Sequence, residues 1–153
     1  MIGIDLVDLQ QARQDSNWQR KGYLNKVFTS DEQELIYTYQ DPNLMVWLLW
    51  SMKEAAYKIW SRTTGQRIYA PTSLLCGSMQ HSNIVNGIVT NSDGQYFTQS
   101  NLTENYICTV ATAEPSQLTC ISVKLSNPAI AYCHPAPTQS RSHHGRYLAT
   151  AWL

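Results

Sequence analysis

The chain has 153 residues, with 11 Lys and Arg against 11 Asp and Glu and a formal net charge of zero. Balanced charge excludes a nucleic-acid binder that works through a broad basic field. The longest unbroken apolar run, Leu44 to Trp50, holds seven residues, where a membrane-spanning helix needs about 18. The 43% hydrophobic content is enough to fill the core of one domain over residues 1–153. Met-Ile-Gly-Ile-Asp at the start has neither a basic nor an apolar leader region, so the expected compartment is the cytoplasm.

Along the chain, Ile2, Ile4 and Leu6 alternate with Gly3, Asp5 and Val7, which predicts a short strand over residues 2–9 with an aspartate close to a glycine. Helical character follows to Phe28, with a break near Asp15-Ser16-Asn17. Thr29 with Glu32 three residues on forms a capping box and starts the next helix, which must stop before Asp41-Pro42. Leu44 to Trp60 has no Gly or Pro and is apolar nearly all round, which predicts a central buried helix. After Gly65 and Pro71 come NIVNGIVT, QYFTQ, NYICTVATA and LTCISVKL, runs rich in Ile, Val, Thr and Tyr. Turn signals at Ser92-Asp93-Gly94 and Glu114-Pro115 separate them, so they read as strands. Pro128, Pro135 and Pro137 mark a connecting loop, Ser140 to Tyr147 reads as a polar turn, and a last strand runs roughly from Gly145 to Leu153. Helices early and strands late indicate an α+β fold.

Charge is unevenly placed. Eight basic and eight acidic residues precede residue 72, and the remaining 82 residues carry three of each sign. The cysteines, Cys76, Cys108, Cys120 and Cys133, contain no Cys-x-x-Cys pair, so four buried, reduced thiols are expected. The alternative, a zinc-stabilised interaction module, draws on Cys120, Cys133, His134, His143 and His144.

Lys53, Glu54 and Lys58 are the only charges on the central helix. Glu54 and Lys58, four apart, share a face with Trp47, Trp50 and Ser51. They are either an ordinary surface pair or buried charges that need a partner, a metal or a ligand. With Asp5 as a second carboxylate on a rigid element, Mg2+ completed by waters and phosphate oxygens is the natural candidate. Lysines beside it would neutralise phosphates. Arg141, His143, His144 and Arg146 make the C-terminal turn either merely polar or a reader of anions.

Gly3-Ile4-Asp5, the helix Trp50-Ser51-Met52-Lys53-Glu54-Ala55-Ala56-Tyr57-Lys58 and the turn Ser140-Arg141-Ser142-His143, in that order, resemble the 4'-phosphopantetheinyl transferase superfamily. Lys26-Val27-Phe28-Thr29 followed by Glu32 is similar to a further family segment. With the Ser-His turn last and Asp8 three residues after Asp5, the chain most resembles the short holo-acyl-carrier-protein synthases. The resemblance implies a single-lobed fold, an antiparallel sheet packed on a long central helix. It implies transfer of 4'-phosphopantetheine from coenzyme A to a serine of an acidic apo carrier protein, with Mg2+ and release of 3',5'-ADP, in the setting of fatty acid biosynthesis.

By the same resemblance Asp5 and Glu54 hold the metal, and Asp5, Glu54 and Lys58 are catalytic. Lys53, Lys58, Ser142 and His143 bind the coenzyme, whereas His144 and Arg146 have no fixed place in the family turn. Glu54 or a water takes the serine proton. Arg13, Arg20, Lys21 and Lys26 offer a basic stretch to the carrier, against the reading of a merely solvated face. The short synthases imply a homo-oligomer, a trimer, in which His143 completes a neighbour's site. The competing reading is a non-catalytic binder of coenzyme A or nucleotide on the same fold.

Overall fold

The computed structural model describes residues 1–80, 84–126 and 139–153. The fold is α+β. Strand β1 (Ile2–Asp8) forms where the alternation predicts it. Helices α1 (Leu9–Asp15), α2 (Tyr23–Val27), α3 (Ser30–Thr38) and α4 (Pro42–Thr64) follow. Strands β2 (Leu75–Gln80), β3 (Ile84–Asn91), β4 (Gly94–Leu102) and β5 (Tyr106–Thr112) complete an antiparallel sheet ordered β1-β5-β4-β3-β2. In it, Ile2 pairs with Thr112 and Asp8 with Tyr106. Strands β6 (Ser122–Ser126), β7 (Gln139–His144) and β8 (Tyr147–Trp152) make a second antiparallel sheet, ordered β6-β8-β7. Among the described residues, no helix is long and apolar enough to cross a membrane.

Both faces of β1 are buried. Ile2, Ile4 and Leu6 pack with Cys108, Val110, Ala149 and Ala151 between the two sheets, while Val7 joins the larger core around α4. Gly3 lies directly under α4, where a Cβ would collide with the carbonyl oxygen of Ala55. Glycine is therefore what lets the strand and helix approach this closely.

The Thr29–Glu32 capping box forms as its spacing predicts. Helix α4 exceeds the predicted Leu44–Trp60 at both ends. Its N-terminus starts at Pro42, where a missing N–H costs nothing, with the Asp41 side chain accepting from the amides of Asn43 and Leu44. Its C-terminus is Gly65, in the left-handed conformation.

The structure corrects four further expectations. Residues 140–144 are strand β7, not a turn, and the reversal falls at Gly145, with φ 52°. Strand β2 was invisible because Leu-Cys-Gly-Ser-Met-Gln contains no β-branched or aromatic residue. LTCISVKL divides into a 3-10 segment, Pro115–Cys120, and β6. Cys120 is exposed and Cys76 half-buried, so only Cys108 of the three described cysteines is the fully buried thiol expected. Cys133, His134, Pro128, Pro135 and Pro137 lie outside the described residues.

Lys53, expected at the coenzyme, is wholly buried elsewhere. Its Nζ donates to Glu32 Oε2 at 2.7 Å, to the Pro71 carbonyl at 2.8 Å and to the Val27 carbonyl at 3.0 Å. All three ammonium protons are thereby used. The other Glu32 oxygen accepts from the Cys76 amide at 2.9 Å. This pair ties α3, α4 and β2 together and leaves Lys53 no proton to offer a ligand. Lys53→Met should cost about 3–5 kcal/mol in urea unfolding, because Glu32 would stay buried and uncompensated. Adding Glu32→Gln to that variant should restore much of the loss. A single variant as stable as the parent would show that the pair holds nothing together.

Candidate active site

Asp5 sits in mid-strand on β1, toward α4. Lys58 Nζ donates to the Ile4 carbonyl at 2.6 Å and to Asp5 Oδ1 at 3.2 Å. The ion pair Lys58 makes is thus with Asp5 across the layers, not the Glu54 pair along the helix that spacing suggested. Ser142 Oγ also donates to Asp5 Oδ1, at 3.1 Å. Asp5 Oδ2 is buried with no hydrogen-bond partner.

Glu54 stands one helical turn before Lys58. Burial raises its pKa, and the charge of Asp5 raises it further, while Lys58 and a contact with Tyr69 act in the opposite sense. Tyr69 was not singled out by any sequence motif. Its ring is held edge-on to Trp50 at 5.8 Å and to Tyr57 at 4.8 Å. Its hydroxyl is buried beside Glu54 without an acceptor at full hydrogen-bond geometry. Burial and the two carboxylates push the Tyr69 pKa up, so the group stays a donor.

The outer edge of β1 is closed by side chains of β7. The amides of Ile4, Leu6 and Asp8 donate to Ser140 Oγ at 3.2 Å, Ser142 Oγ at 3.1 Å and His144 Nδ1 at 2.8 Å. Every second residue of Ser140-Arg141-Ser142-His143-His144 supplies an acceptor, at the period with which a strand's amides alternate. Asp8 ends this edge. Its Oδ1 caps α1 through the amides of Gln10 and Gln11, and Arg146 grips it with Nε at 2.8 Å and Nη2 at 2.9 Å. Gly145 lies so close that a Cβ there would collide with Asp8 Oδ2. Arg146 is thereby held on Asp8, and it is not among the residues that line the cleft.

A cleft of about 380 Å³ opens on this assembly. Asp5, Glu54, Ser142, His143, His144 and Trp50 line it, with Asp15 and Tyr23 toward α1 and α2. The structure thus brings Asp5, Glu54, Ser142 and His143 together within one chain. His143 lines the cleft of its own chain. Lys58 braces Asp5 from the helix side, and Lys53 is not among the lining residues.

Among the described residues, no group of three or more His, Cys, Asp and Glu is arranged to hold a metal ion. Two carboxylates do share the cleft, one with an oxygen that is buried and unpaired. Asp5 and Glu54 against the single charge of Lys58 leave a local excess of one negative charge. That donor set fits a hard cation that keeps most of its shell as water and substrate oxygens.

The sequence model of one family, the 4'-phosphopantetheinyl transferase superfamily, matches residues 1–111. The chain belongs to that superfamily. Its members are transferases that take coenzyme A as donor, act on carrier proteins and typically use a divalent metal. No curated protein matches the chain in sequence. The matched span carries Asp5, Glu54 and Lys58; β7 lies beyond it, so the place of Ser142, His143 and His144 in this transferase-family cleft rests on the geometry.

The clamp on Asp8 has a pH signature. Hydrogen bonds from the Arg146 side chain hold its carboxyl well below the usual carboxylate range, against the opposing effect of burial. A depressed carboxylate contributes stability that is complete above its unfolded value and is lost as pH falls through the folded one. Asp8→Asn should therefore lower the urea midpoint clearly at pH 7 and by less at about pH 3. A deficit that stays constant between the two would show that the clamp is not ionic.

Proposed function

We propose that the protein is a holo-acyl-carrier-protein synthase-type enzyme that transfers 4'-phosphopantetheine from coenzyme A to a serine of an apo acyl or peptidyl carrier protein, using Mg2+ and releasing 3',5'-ADP. The observation that carries this reading is the unpaired Asp5 Oδ2 sharing a cleft with Glu54 and His143.

Asp5 and Glu54 would hold Mg2+. Bound there, a divalent cation neutralises the charge that builds on a pyrophosphate bridge. The protein's own part is to place and to shield. Lys58 and Ser142 fix one oxygen of Asp5, so the other is held toward the cleft. Burial and the neighbouring negative charge make Glu54 hard to keep ionised alone, so Lys58 and a cation are what favour its charged form. His143 is exposed and free to turn toward a coenzyme phosphate.

Arg13, Arg20, Lys21 and Lys26 are exposed on and between α1 and α2, and the Arg20 guanidinium lies 5.3 Å from the ring of the cleft residue Tyr23. A basic surface beside the cleft suits steering of an acidic carrier. The trimer is proposed on the likeness to short synthases alone, and a monomeric mass by light scattering would remove it.

Incubating the protein with coenzyme A, Mg2+ and a panel of apo carrier proteins should add the phosphopantetheine mass to at least one carrier. Glu54→Ala and Asp5→Ala should each abolish that gain, and chelation should do so reversibly. No mass gain on any carrier would reject the transfer, and an active Glu54→Ala would show that the metal site is misplaced.

A further inference from the structure

The lining of the cleft poses a problem for any phosphate-bearing ligand. Its charged side chains among the described residues are acids, Asp5, Glu54 and Asp15, and no lysine or arginine lines it. The cations nearby are each bonded within the chain, Lys58 to Ile4 and Asp5, Arg62 to Ile2 and Ser140, and Arg146 to Asp8. Besides the indoles of Trp47 and Trp50, the lining side chains with N–H groups are His143 and His144.

Of these two imidazoles, His144 is the one whose protonation pattern is fixed. Its Nδ1 accepts from the Asp8 amide at 2.8 Å. A backbone amide only donates, so Nδ1 carries no proton and the ring's N–H is at Nε2. The backbone that carries this ring is also held. Strand β7 is paired to β8 through His144 opposite Tyr147, and the next two residues, Gly145 and Arg146, are packed on and bonded to Asp8. His143 is paired opposite Leu148 in the same ladder, but it is exposed.

We propose that His144 is a ligand-binding residue of this cleft, its Nδ1 closing the β1 edge and its Nε2–H donating to a phosphate oxygen of the coenzyme. The inference rests on the transferase reading and adds to it a preorganised donor that requires no lysine or arginine. Fixing the tautomer through Nδ1 means that no ring flip is needed when the ligand arrives.

The two ring nitrogens are separable by substitution. Asparagine places an acceptor near the position of Nδ1 but has nothing at Nε2; glutamine places an amide near Nε2 but nothing at Nδ1. Coenzyme A binding by calorimetry, with Mg2+ present, and thermal unfolding should be measured on the parent and both variants. His144→Asn should keep the parent's unfolding midpoint and bind coenzyme A at least about tenfold more weakly, the range for a hydrogen bond to a charged group. His144→Gln should do the reverse, unfolding at lower temperature while retaining more of the affinity. Parent-like affinity in His144→Asn would overturn the inference while leaving the transferase reading standing. A parent that binds no coenzyme A would overturn both.

Discussion

Strand β1 is removed from water on both faces and along its outer edge, and each backbone group it turns outward must be answered by something other than solvent. Its amides at Ile4, Leu6 and Asp8 are answered by Ser140, Ser142 and His144, always 136 residues further on. Its carbonyls at Ile2 and Ile4 are answered by Arg62 and Lys58. The spacings agree for a geometric reason. Two residues of strand advance about 6.6 Å, and four residues of helix advance about 6 Å. A helix running against the strand can therefore meet alternate carbonyls with side chains one turn apart. The glycine at position 3 makes the approach close enough for that match to be used.

This constraint decides which charges are available for chemistry. Lys58 is held by the Ile4 carbonyl before it meets Asp5, and Ser142 gives its proton to Asp5 while accepting one from Leu6. Scaffold and site are thus the same bonds. Asp5 has one oxygen held by two donors and one held by none, a polarity that follows from having partners on β7 and α4 but not in the cleft between them. The cleft retains an excess of negative charge because Asp5, Glu54 and Asp15 line it and no lysine or arginine does. A site so constructed favours a cation, and through it a ligand rich in phosphate.

Local features were legible in the sequence, and features that depend on distant partners were not. The strand that carries Gly3 and Asp5 and the Thr29–Glu32 box are read within a few residues and form where they were expected, whereas the Glu54–Lys58 spacing did not reveal that Lys58 pairs with Asp5. Lys53 and Glu54 show the limit. They are neighbours about 100° apart around the helix, and sequence alone does not say which of them meets the core. Glu32 decides it by burying a carboxylate that pairs with Lys53. Tyr69 lies in a stretch with no motif, and the Asp8–Arg146 clamp spans 138 residues. The C-terminal motif was legible as chemistry but not as structure. Polar residues in a row read as a turn, whereas their alternation matters here because β1 supplies donors at the same period.

The unequal distribution of charge has a physical reason in this arrangement. Sixteen of the 22 charged residues precede residue 72, yet the element that completes the cleft from the C-terminal side meets β1 through two serines and a histidine. The amides of β1 need acceptors, and carboxylates would be the strongest ones. A carboxylate in place of Ser142 or His144 would stand beside Asp5 and Glu54, and Glu54 is already driven toward its neutral form by burial and by Asp5. Further negative charge would raise the Glu54 pKa again and weaken the donor set that a cation needs. Neutral acceptors close the edge without that effect. Ser142 further donates a hydrogen bond to Asp5 Oδ1. The low charge of the C-terminal half is, at β7, what spares Glu54 a further push toward its neutral form.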